Sequence, residues 1–167
     1  MAAGATYVPI ATQTLGSSAS SVTFNSISQG FTDLVVVSSI KPSSSASGYG
    51  PSFQINGDTG SNYSYTLIYG NGSSAGSIRA SSINYARYGS GGSTSTLEAD
   101  VTHIMNYSNT TTYKTILARF SQPSADTGAF VNLWRNTAAI TSLTFYGNDG
   151  GSIAAGSTFT LFGISAA

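Results

Sequence analysis

Along much of this chain polar and apolar residues alternate with a period of two, and that pattern limits its fold more than any other feature. Within Ser21–Ile27, Ser21, Thr23 and Asn25 alternate with Val22 and Phe24. An extended backbone sends such sets to opposite faces of a sheet. Comparable segments rich in β-branched and aromatic residues recur between clusters of Gly, Ser and Asn, and none carries the pattern of a helix of ordinary length. Strands are expected near Tyr7–Leu15, Ser21–Ile27, Thr32–Ile40, Pro51–Ile55, Ser64–Tyr69, Ile78–Tyr88, Leu97–Met105, Tyr113–Phe120, Phe130–Arg135, Ile140–Tyr146 and Thr158–Ile164. Turns are expected at Asn56-Gly57-Asp58, Tyr69-Gly70-Asn71-Gly72 and Asn148-Asp149-Gly150-Gly151, because Asn and Gly tolerate the positive φ of tight hairpins. Ser43–Gly50 and Gly89–Ser95 read as flexible loops between strands.

Two segments indicate how the strands are covered. Leu34-Val35-Val36-Val37 is uninterrupted apolar sequence, as expected of a strand covered on both faces. In the last segment, Phe159, Leu161 and Gly163 share one face, and Thr158, Thr160, Phe162 and Ile164 share the other, so this strand is expected inside a sheet. The fold class is therefore all-β: an antiparallel β-sandwich, jelly-roll-like, of about ten strands, with a closed barrel as the alternative. A length of 167 residues predicts one domain over 1–167, with 1–15 either an extended N-terminal segment or an edge strand.

Charge is scarce: six basic and six acidic residues make up 7% of the chain and cancel, where a typical domain carries about 25%. Solubility then rests on hydroxyls and amides. A neutral chain cannot neutralise a row of phosphates or favour an anionic bilayer, so neither nucleic acid nor membrane is expected as a partner. The absence of cysteine excludes disulfides, thiolate–metal sites and thiol catalysis. Met1–Tyr7 shows no basic region followed by an apolar run, so no secretory leader is expected and synthesis is expected in the cytoplasm. The Asn-x-Ser/Thr sites at Asn62, Asn71, Asn106 and Asn109 then read as turn formers.

The residues that could carry chemistry are few. His103 is the only histidine, and strand alternation points Glu98, Asp100 and Thr102 away from it, so a Ser–His–Asp triad is not expected. Glu98 and Asp100 share one face about 7 Å apart, a spacing compatible with a glycosidase pair or a cation; the plainer reading is two solvated acids or partners of Arg79, Arg87 or Arg119. Asn56–Asn62 is rich in oxygen ligands but has one carboxylate where calcium loops have several, and reads as a turn capped by Asp58. Tyr63, Tyr65, Leu67 and Tyr69 form a stripe suited to a core or a subunit interface. No catalytic residue, metal set or cofactor site is expected.

Several segments, in order, resemble one family of proteins. Ile10–Phe24, Phe31–Val36, Phe53–Ser64, Asn106–Thr115, Trp134–Ile140 and Ala155–Ile164 are similar to small virion structural proteins of tailed bacteriophages, including cyanophages. The resemblance implies a non-enzymatic β-sandwich of the particle, located in the virion. It points first to a capsid cement or decoration protein that binds the major capsid protein and stabilises the shell. The alternative is a tail or fibre module binding host-surface glycans through Trp134 and Arg135. Many close copies favour a homo-oligomer, and a trimer is expected. In a sheet with few charges to guard its edges, the expected interface residues are Tyr7, Ile10, Tyr63, Tyr65 and Tyr69.

Overall fold

The computed structural model describes residues 6–44, 50–91 and 93–165. Among them there is no helix, and twelve strands follow one another: β1 (Tyr7–Thr14), β2 (Ser21–Phe24), β3 (Asp33–Ile40), β4 (Pro51–Ile55), β5 (Tyr63–Gly70), β6 (Ala75–Ile83), β7 (Ala86–Arg87), β8 (Glu98–Ile104), β9 (Lys114–Ser121), β10 (Thr127–Trp134), β11 (Leu143–Gly147) and β12 (Thr158–Ile164). All pairings are antiparallel. They form an eight-stranded sheet, β1-β12-β3-β8-β9-β10-β5-β6, and a four-stranded sheet, β2-β11-β4-β7.

The strand order carries the expected jelly roll. With β5, β6, β9 and β10 set aside, the remaining eight strands fall into two sheets, first-eighth-third-sixth and second-seventh-fourth-fifth in chain order, which is the jelly-roll winding. The β5–β6 hairpin and the β9–β10 hairpin are insertions. Both add to the free side of β8 and widen that sheet to eight strands. The result is an open sandwich with one wide and one narrow sheet.

The core lies where the two sheets overlap. Phe145 of β11 stacks on Phe53 of β4, meets Tyr88 edge-on and touches Phe159 of β12 in the wide sheet, with ring centroids 5.3–5.4 Å apart. Leu34, Val36, Ile104, Ile116, Phe130 and Leu161 complete the inner layer of the wide sheet.

Several local expectations change. Ser21–Ile27 is strand only as far as Phe24, because Ser26 adopts φ 53° and turns the chain while Ile27 still buries. The Ile78–Tyr88 segment is two strands: Ser82 (φ 55°) is the extra residue of a bulge, and the chain leaves the wide sheet at Ile83 to pair as β7 with β4. Of the Leu34–Val37 run, Val35 is covered but Val37 is 43% exposed on the outer face. Asn56 and Gly57 both have positive φ, and Asp58 N–H bonds to Ile55 C=O, so the tight turn is present. It links the two sheets, however, since β4 and β5 are not paired. Most of the Ser43–Gly50 loop and the segment 1–5 lie outside the described residues. β12 does sit between β1 and β3, inside the wide sheet.

Candidate functional site

Trp134 and Arg135, the residues through which the alternative reading would bind a glycan, are used internally. Trp134 is buried, stacks on Tyr63, and donates its indole N–H to Asp58 Oδ2 at 2.7 Å. Arg135 donates to Ser64 Oγ and to the carbonyls of Ser61 and Tyr63, closing the same turn. Asp58 is fully engaged as well: Oδ1 accepts Gly60 N–H and Oδ2 accepts Asn62 Nδ2 as well as Trp134. Burial acts to raise the Asp58 pKa, but these three donors outweigh it and hold the group below the ordinary carboxylate value. The oxygen-rich loop is thus a self-capped turn.

The tyrosine stripe faces inward. Tyr63 is fully buried, its hydroxyl accepting Ile55 N–H and donating to Asp58 C=O. Tyr65, Leu67 and Tyr69 pack against the core beneath the widened sheet. Tyr63 is therefore removed from the expected interface, and Tyr65 and Tyr69 have only their partly exposed flanks to offer. Tyr7 and Ile10 lie in the edge strand β1; Tyr7 is exposed against the ring of Phe162, and Ile10 packs on the core. That edge already carries Pro9 and a bulge before Ala11, two devices that discourage strand addition.

The solvated reading of Glu98 and Asp100 is overturned. Each is 1% exposed, because alternation aims both into the sandwich from β8. Ser90 N–H and Gly91 N–H each donate to one Glu98 oxygen at 2.6 Å, and Ser38 Oγ donates to Asp100 Oδ2 at 3.1 Å. Gly89 packs so closely on both carboxyls that a Cβ there would overlap Glu98. The Gly89–Gly91 stretch, expected to be a flexible loop, is a clamp over the pair. Burial raises both pKa values, and Asp100 rises well above the ordinary range because Glu98 adds repulsion to burial. Among the other described residues Asp100 Oδ1 finds no donor. A proton shared with Glu98 supplies one, so the pair is a closed hydrogen-bonded unit without a substrate cleft.

His103 points to the opposite, outer face of the wide sheet, as alternation predicts. Its Nε2 lies 3.2 Å from Asp33 Oδ2, while Asp33 Oδ1 accepts Asn106 N–H. The turn-forming role of the asparagines is visible at Asn71 and Asn109, whose Oδ1 atoms each accept backbone N–H groups two and three residues on.

The largest unassigned feature is that outer face. Strand register aligns Phe162, Val35, His103, Leu117 and Val131 in one row across β12, β3, β8, β9 and β10. The next row runs Val37, Val101, Arg119, Ala129, Ile68. Val131 is 50% and Ile68 62% exposed; Val37, Leu117 and Tyr7 are also open. Among the described residues, the other exposed large hydrophobics are only Ile78, Leu97 and Tyr113. Two shallow hollows, about 380 and 790 Å³, lie on this side and share Arg119 and Ala129 in their walls. The sequence did hold a sign of it. The doublets Val36-Val37, Leu67-Ile68, Ile116-Leu117 and Phe130-Val131 each place one apolar residue on each face. Comparison with known proteins finds no matching family model, and no curated protein matches the chain.

Proposed function

We propose that this chain is a non-enzymatic structural protein of a tailed-phage particle, a cement or decoration protein that binds the major capsid protein and stabilises the shell. The observation that carries the reading is the apolar outer face of the wide sheet, which lies open while the carboxylate pair and the Trp134 cluster are already engaged. A contiguous exposed apolar face marks a protein contact. The carboxylate pair and the Trp134 cluster, the sequence features that could have suited an enzyme or a glycan binder, serve the fold itself. A neutral, hydroxyl-rich surface avoids repulsion between crowded copies, and many weak contacts gain strength from multivalency.

In this reading the subunits form a homo-oligomer, a trimer, and leave the outer face to the shell. The protein is made in the host cytoplasm and ends in the virion. Quantitative mass spectrometry of purified particles is expected to find it in fixed stoichiometry to the major capsid protein. Its absence from particles overturns the reading.

A further inference from the structure

We propose that the outer face of the eight-stranded sheet is the docking surface, and that its occupant is a partner protein presenting apolar groups flanked by carboxylates, not a second copy of this chain. That the partner belongs to a phage particle rests on the role proposed above; the chemistry of the face does not.

The size is right. Strands about 4.8 Å apart with a rise of about 3.4 Å per residue make a face about 34 by 24 Å, or about 800 Å², which is what one partner buries in a standard interface. The charge then selects the occupant. Arg119 and Arg79 project from this face and are exposed, and neither has a hydrogen bond or ion pair among the described residues. Among the described residues the acid that shares this strand face is Asp33, two positions before Val35 on β3, and it is already engaged. Asp33 is held by His103 and the Asn106 amide, Glu98 and Asp100 are enclosed in the sandwich, and Asp58 is held by Trp134. Asp126 lies in the β9–β10 turn and borders the space under the inner face, and Asp149 lies in the β11–β12 connection. A second copy therefore offers either guanidinium only Asp33, whose two oxygens are already in contact with His103 Nε2 and Asn106 N–H. Because β9 is next to the middle of the sheet, face-to-face packing of two copies would bring Arg119 close to its own counterpart out of water, a costly like-charge contact. A surface with acids placed opposite Arg119 and Arg79 meets both demands.

The test uses particles stripped of the protein and re-incubated with purified full-length chain. Wild type is compared with Val131→Asp, Arg119→Glu and Ile78→Asp; Ile78 is 49% exposed but faces the inner side, opposite Leu67. Wild type and Ile78→Asp are expected to rebind, Val131→Asp and Arg119→Glu to bind at least tenfold more weakly, and wild-type binding to weaken with added salt. Val131→Asp and Arg119→Glu binding like wild type overturns the inference and leaves the particle role standing. Failure of wild type to occur on particles overturns that role instead. In sedimentation velocity, Val131→Asp and wild type are expected to have the same mass; a smaller mass for the variant would make the face a self-interface and overturn the inference.

Discussion

The indole of Trp134, at the end of β10, donates to Asp58 across 2.7 Å and so pins the turn that carries the chain from the narrow sheet to the wide one. Asp58→Ala strands a buried indole N–H and frees Gly60 and Asn62. A loss of about 2–4 kcal/mol is expected from urea unfolding, with a red-shifted emission from Trp134, the only tryptophan. Wild-type emission and stability in this variant would refute the role.

Asp58 and the Glu98–Asp100 pair impose opposite pH dependences. The Asp58 pKa is depressed in the fold, so its contribution is present above the unfolded value and lost as pH falls through the folded one. Glu98 and Asp100 are raised, so their contribution is full below the unfolded values and lost as pH rises through the folded ones. Melting temperature is expected to decline in the wild type as pH rises above the ordinary carboxylate range and through the raised values of the pair. Asp100→Asn, which keeps an acceptor for Ser38 and a donor for Glu98, is expected to flatten that decline and to be the more stable protein at alkaline pH. Parallel profiles for the two proteins would contradict the shared proton.

Gly163 of β12 lies directly under the ring of Phe31, where any Cβ would overlap it. Gly163→Ala is expected to displace that ring and cost about 1–3 kcal/mol in chemical denaturation. Phe31→Ala combined with Gly163→Ala is expected to lose less than the sum of the single changes, since the clash disappears with the ring. Additive losses would count against the contact.

Phe145 bridges the sheets through Phe53, Tyr88 and Phe159. Phe145→Ala is expected to cost about 3–5 kcal/mol, whereas Val131→Ala on the open face is expected to change stability by less than about 0.5 kcal/mol. Equal losses from both would mean that the outer face is packed in the isolated chain.

Strand positions were legible because alternation is a local property: the β4 and β12 expectations coincide with the observed strands, and β3, β8 and β9 differ at their ends by one residue. The Ser82 bulge and the two-residue crossing at Asn84-Tyr85 were hidden, since nothing in Ile78–Tyr88 shows which sheet each half pairs with. The carboxylate pair was read correctly as facing away from His103, but its burial depended on Gly89–Gly91 folding over it from eight residues away in sequence.

Sequence by itself determined which residues share a face and where the chain turns, because φ/ψ preferences and the two-residue side-chain period act over a few residues. Only the tertiary structure decided which face became core and which stayed open. That depended on the narrow sheet covering one side of the wide one, a long-range pairing no local pattern encodes. The two members of each apolar doublet look alike in the sequence; burial makes Phe130 core and leaves Val131 open to solvent.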